Sequence, residues 1–153
     1  MKLSGGVEWA LHCCVVLTAT TEPVPAARLA QLHDVSPSYL AKQMPVLSRA
    51  GLVKSVQGKT GGYVLTRAAA EITVLDVVQA IDGASPAFTC AEIRQRGRFG
   101  TRPEDCTEPC PIGRAMSAAD AAWRASLQAV SIADLVGSVE QNSGPEALPA
   151  IGT

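Results

Sequence analysis

The chain has 153 residues, 47% of them hydrophobic but only 4% aromatic, and a formal net charge of −1. That supports one domain, or one small domain with an oligomerisation arm, whose core is filled by Leu, Val and Ala. A membrane-spanning class is excluded: the longest apolar run, residues 10–17, is interrupted by His12 and is too short to cross a bilayer.

Lys2 is the only charged residue before Ser4-Gly5-Gly6, with no signal-peptide cleavage pattern, and five cysteines include an adjacent Cys13-Cys14 pair in a helical stretch. Both features point to a reducing cytoplasm. The charge is uneven. Residues 1–67 hold seven Lys and Arg against three acids, a net +4, whereas residues 68–153 hold six against eleven, a net −5. A basic first half suits a surface that neutralises DNA phosphates; a chance scatter of solvated charges gives the same balance.

In chain order, residues 3–19 read as a helix with Val7, Leu11, Cys14 or Val15, and Thr18 on one stripe. Glu22-Pro23 breaks it, and Val24-Pro25 opens a shorter helix through Leu32. Ser36 is a candidate N-cap with Pro37 at the first helical position, opening a third helix over 38–50 that stops at Gly51. Residues 52–56 alternate like a strand, 57–62 form a glycine-rich loop, and 63–66 return. Helix, turn, helix and β-hairpin make a winged helix-turn-helix, so the fold class is mainly α with a small β-hairpin wing. A further helix over 73–82, capped by Thr73, packs on this module through Val74, Val77, Val78 and Ile81.

The expected organisation is a DNA-binding domain over 1–85 and a charged, cysteine-containing loop over 86–110. A long dimerisation helix with its return segment follows over 111–136, then a frayed tail over 137–153. Ile112, Met116, Ala119, Trp123 and Leu127 share one stripe of the long helix, and its many alanines would let a partner helix approach closely. Packing on its own domain is the simpler use of such a stripe.

A recognition helix needs polar, reaching side chains near its start, because these meet base edges in the major groove. Ser38, Tyr39, Lys42 and Gln43 fill that role, with Leu40 and Leu47 facing the core, and the wing adds Gln57, Lys59 and Thr60. Gly58-Lys59-Thr60 echoes the end of a phosphate-binding loop. That motif needs glycine at position 53, which is Val, and must open a helix where this sequence opens a strand. Nucleotide hydrolysis is therefore rejected. Pro45, inside the third helix, removes a backbone hydrogen bond at about 3 kcal/mol.

Cys90, Cys106 and Cys110 are separated by fifteen and three residues, and Pro111 then starts a helix. Thiols so gathered suit a metal better than a disulfide framework, and Glu8 and His12, four apart on the first helix, could supply an upstream ligand. Glu and His at that spacing are more often a surface ion pair. Cys13 and Cys14 read as core, and His33 as structural.

Residues 36–40, 49–53, 55–59 and 61–65, the cysteine loop, Cys110-Pro111-Ile112 and residues 132–136 together resemble the IscR/NsrR family of iron–sulfur transcription regulators. The resemblance covers residues 1–136, and the opening segment with Glu8 and His12 is most similar to a redox-responsive branch of it. It implies a homodimer on palindromic double-stranded promoter DNA, with a cluster near the dimer interface. The commoner family pattern spaces three cysteines about equally. The unequal gaps here favour a 2Fe–2S cluster over a 4Fe–4S nitric-oxide or iron-supply sensor.

On that resemblance Cys106 and Cys110 would hold one iron, and Glu8 and His12 of the other protomer the second. Cys90 is a third ligand, a neighbouring thiol or simply buried. Trp9, beside these ligands on the first helix, is the candidate switch that passes a change of cluster charge to the DNA-binding unit. A zinc-stabilised DNA-binding protein is the rival. An enzyme is not expected, because no nucleotide fingerprint, Cys-x-x-Cys pair or nucleophile–base pairing is present.

Overall fold

A computed structural model describes residues 2–144 and Leu148. The described residues divide into two compact units, one of residues 2–84 with 127–144 and Leu148, the other of residues 85–126.

In the first unit α1 (Gly5–Leu17), α2 (Ala26–Leu32) and α3 (Pro37–Arg49) are followed by β1 (Val53–Val56) and β2 (Gly62–Leu65), then α4 (Val74–Asp82) and α6 (Ile132–Ser143). The strands pair antiparallel, Val53 with Leu65 through Val56 with Gly62. Val24, ahead of α2, bridges Tyr63 on the other edge of β2 through Val24 N–H to Tyr63 O at 3.0 Å and Tyr63 N–H to Val24 O at 2.8 Å. Leu29, Leu40, Met44, Leu47, Val77 and Ile132 are fully buried and weld the helices together. Apolar burial of this kind is the main stabilising term.

Cys13 and Cys14 are wholly enclosed, and burial pushes both thiols up to about 12, with Cys13 adding to the effect at Cys14. They are inert core residues, as the sequence indicates.

The helix ends follow the expected chemistry with one exception. Gly51 is left-handed at φ 74°, and the Thr73 hydroxyl accepts from Asp76 N–H at 3.1 Å. Ser36, however, does not cap α3 with its side chain; its hydroxyl pairs with that of Ser38 at 2.7 Å. Helix α3 runs unbroken from Pro37 to Arg49 through Pro45, with Leu40, Met44 and Leu47 buried on either side of the proline. That burial offsets the lost backbone bond.

Residues 137–143, expected as the start of a tail, are instead the second half of α6. Composition misleads there because the capping box at Ser131 and Asp134 starts the helix upstream. Ser131 N–H donates to Asp134 at 2.8 Å, and Asp134 N–H donates back to the Ser131 hydroxyl at 3.1 Å. The rest of the expected tail, apart from Gly144 and Leu148, lies outside the described residues. The start of α6 is also tied down: Ile132 N–H reaches Ile72 O at 2.8 Å and Val74 N–H reaches Val130 O at 2.8 Å.

The Ser131 hydroxyl and N–H hold the Asp134 carboxyl below its ordinary value, opposed only by slight burial. A depressed carboxylate stabilises the fold above its unfolded pKa, and that contribution fades as pH falls through the folded one. Ser131→Ala is therefore expected to lower stability at neutral pH and to flatten the acid limb of the stability profile. Urea midpoints measured between pH 7 and the acid transition check this.

The second unit contains two single 3-10 turns, Ile93–Gln95 and Pro103–Asp105, and helix α5 (Pro111–Gln128). No residue of α5 is buried; Ile112 is 66% and Met116 42% exposed. The apolar stripe read from the sequence is thus left largely open.

Candidate metal centre and nucleic-acid interface

Helix α5 begins at Pro111, so Cys110 stands at its amino end, where unpaired N–H groups favour an anion. The N–H groups of Gly113 first, then of Ile112, and the Cys90 thiol pull the Cys110 thiol below the ordinary thiol range, against burial and the Glu92 carboxylate. Cys90 is brought to it by the chain returning over the head of the helix. A side chain at Gly113 would come within 3.2 Å of Cys90 Cβ, 3.4 Å of its Sγ and 3.7 Å of Cys110 Cβ. Glycine there lets Cys90 pack closely over the helix start; a larger residue would push it outward by a few tenths of an ångström.

Cys90 and Cys110 line an open cavity of about 380 Å³ with Phe88, Glu92, Gly113 and Arg114. Arg94 ties this loop in two directions, to Glu92 at 2.8 Å and to the Glu108 carbonyl at 2.6 Å. Glu92 itself is held at φ 49°, a strained position for a non-glycine residue.

The pairing differs from the expectation. The sequence ranks Cys106 beside Cys110 on proximity along the chain, and Cys90 behind them. In the structure Cys90 shares the cavity with Cys110, while Cys106 sits half-buried at the end of the Pro103–Asp105 turn and does not line it. The signal missed was Gly113, because only a packed structure shows what its missing side chain admits.

Glu8 and His12 both lie exposed on one face of α1. They border a mainly apolar groove of about 270 Å³ formed with Leu11, Val15, Leu135, Ser138, Val139 and Asn142. The four α6 residues were missed because their segment was largely read as tail. Among the described residues no group of three or more His, Cys, Asp and Glu side chains gathers.

Trp9, His12 and His33 form a triangle of rings. Centroids are 6.3 Å apart for Trp9 and His12, 5.9 Å for Trp9 and His33, and 5.6 Å for the two histidines. His33 Nδ1 lies 3.0 Å from Leu29 O, which fits the structural role expected of it. The ring ends α2, and Asp34 then takes a left-handed turn at φ 51° that leads into α3. The sequence alone did not reveal that Trp9 touches this turn.

On α3, Ser38 and Lys42 are exposed as a base-reading face requires. Tyr39 is half-buried against the core. Gln43 is turned inward, with its amide oxygen 3.2 Å from where a Cβ on Gly6 would lie. At the wing Gln57, Lys59 and Thr60 are all exposed, with Gln57 donating to the Ser55 hydroxyl at 3.2 Å and Gly58 at φ 119°. Ser36, read from the sequence only as a cap, and Ser55 are also exposed beside these residues and were not assigned to this surface from the sequence.

Three short helices with a two-stranded hairpin of this order define a winged helix-turn-helix protein. The family model for Rrf2, iron-dependent transcriptional regulator, matches residues 3–138, and the chain belongs to that family. It is similar to protein aau3 of Rhizobium meliloti, with 32% identity over 89% of this chain and 85% of that one. It is also similar to the transcriptional regulator IscR of Klebsiella pneumoniae, 40% identical over 50% of this chain. Only 47% of that relative's length is matched, and 54% of the regulator YwgB of Bacillus subtilis. Among solved structures, T. potens IscR superposes with a TM-score of 0.69 at 21% identity, covering 94% of this chain and 91% of that one. CymR, the global cysteine regulator of B. subtilis, gives 0.66 at 24%, covering 90% and 98%. The fold expectation is borne out. Among the described residues no helix is long and apolar enough to cross a membrane.

Proposed function

We propose that this Rrf2-family regulator is a homodimer whose promoter binding responds to the redox state of a 2Fe–2S cluster held between protomers. Cys90 and Cys110 of one protomer and Glu8 and His12 of the other are the proposed ligands. Their chemistry fits: two thiols, one already drawn toward its anion by helix N–H groups, and a carboxylate with an imidazole one helical turn apart. When bound, such a cluster supplies one-electron chemistry and a change of one unit of charge.

The observation that carries the reading is the ring triangle, since it joins a proposed ligand to the hinge of the DNA reader. His12 would feel the charge directly through its ring. Trp9 packs against both His12 and His33, so a reorientation of either partner changes what abuts the turn before α3. Helix-turn-helix dimers must keep their recognition helices about one DNA turn apart, and small re-aiming weakens binding steeply.

The test compares oxidised and reduced protein on a promoter fragment it selects, at fixed salt, in the native chain and in Trp9→Ala. Native protein should differ between the two states by roughly 5- to 150-fold, the usual span of such coupling. The variant should bind DNA with that difference largely removed. Equal affinities of both states in the native protein would refute the switch.

A further inference from the structure

Four of the six basic residues in the acidic half of the chain crowd into residues 93–102, where there is no Asp or Glu at all. Two of them are struts. Arg94 is held by Glu92 and the Glu108 carbonyl, and Arg102 by Asp105 at 2.9 Å and Glu104 at 3.4 Å. The other two, Arg96 and Arg98, are exposed, and no hydrogen bond or ion pair among the described residues reaches their guanidinium groups. Next to them Phe99 is 95% exposed and Ile93 73%.

This tip is built rather than slack. Gly100 N–H reaches Gly97 O at 3.1 Å, Thr101 N–H reaches Arg94 O at 2.8 Å, and Gly97 turns at φ 78°. A Cβ on Gly100 would lie 2.9 Å from the Arg96 carbonyl oxygen, so the knuckle closes only around glycine. It holds two uncompensated guanidinium groups and a bare aromatic ring outward together.

We propose that the Arg96–Phe99 knuckle is a second contact to duplex DNA, separate from the recognition helix and the wing. Guanidinium groups pair with phosphate oxygens bidentately, and an unburied aromatic ring beside them can pack on sugars or wedge between base steps. Outside residues 93–102, residues 68–153 carry two basic residues against eleven acidic ones and would repel a phosphate backbone. The knuckle concentrates positive charge in a half that is otherwise net negative. An acidic protein surface could also meet the arginines, and the test separates the two.

The inference rests on the DNA-binding reading above, but not on the redox switch. The probe is a mixed-sequence duplex titrated by fluorescence anisotropy at several salt concentrations, using full-length protein checked for helix content by circular dichroism. Removing one charge that neutralises a phosphate makes the plot of log affinity against log salt shallower by about 0.9. The double variant Arg96→Ala with Arg98→Ala should flatten that slope by about 2 per protomer. Phe99→Ala should weaken binding roughly tenfold with the slope unchanged, as loss of a stacking ring does. Lys59→Ala on the wing is the control and should flatten the slope by about 1. A native slope in the double variant overturns the proposal and leaves the knuckle to an acidic protein partner. A native slope in Lys59→Ala would instead undermine the wing assignment.

Discussion

Cys110→Ser is expected to abolish the visible absorption of anaerobically purified protein together with its iron and sulfide, and Cys90→Ser to do the same. A serine hydroxyl stays protonated where a thiol at the head of α5 is drawn toward its anion, so it cannot replace the lost ligand. Cys106→Ser should keep most of the iron, because that residue does not line the cavity in which Cys90 and Cys110 meet. Gly113→Ala gives an intermediate result, since the added methyl must push Cys90 Cβ outward from 3.2 Å. Glu8 and His12 can be exchanged for other oxygen or solvent ligands more readily than a thiolate can, so their variants should shift the spectrum before they erase it. Iron retained in Cys90→Ser but lost in Cys106→Ser would return the thiolate site to the pairing that sequence proximity suggests.

That contrast shows where sequence reasoning holds and where it stops. Periodicity and stop signals place α1 to α4 and the hairpin within a few residues, because Pro37, Gly51 and Thr73 act locally on the backbone. The exposed wing residues are legible for the same reason: a glycine-rich loop between two strands has nowhere to bury Lys59 or Thr60. Packing between distant segments is not local. Cys90 packs closely over Gly113 beside Cys110, and Gln43 packs over Gly6, each where a larger side chain would crowd it. Composition then fails at α6, where small residues in 137–143 imitate a tail although Ser131 and Asp134 commit the backbone to helix. Without α6 the groove beside Glu8 and His12 has only one wall.

The largest stability effect is expected at the root of the wing. Gly62 is an ordinary strand residue by its pairing with Val56, and nothing about a strand calls for glycine there. Yet an added Cβ would lie 2.3 Å from the Val24 carbonyl carbon, 2.4 Å from its oxygen and 2.6 Å from Pro25 N. All three atoms are backbone, and Val24 is 1% exposed and fixed to Tyr63 by two hydrogen bonds, so no side chain can swing aside. Relief requires breaking that bridge, which loses both bonds at about 1 kcal/mol each and part of the packing of Val24. Gly62→Ala should therefore cost about 3 kcal/mol or more, a large share of a typical domain's 5–15 kcal/mol. Gly51→Ala makes the comparison: its site is left-handed at φ 74° but open, so only the backbone penalty of about 1 kcal/mol applies. Urea midpoints of the two variants should rank in that order. Because β2 anchors the wing, DNA affinity of Gly62→Ala should fall even at urea-free, fully helical conditions, with the salt slope losing the Lys59 contribution. An alanine at 62 that leaves both midpoint and slope untouched would mean that the bridge from Val24 does not hold the wing in place.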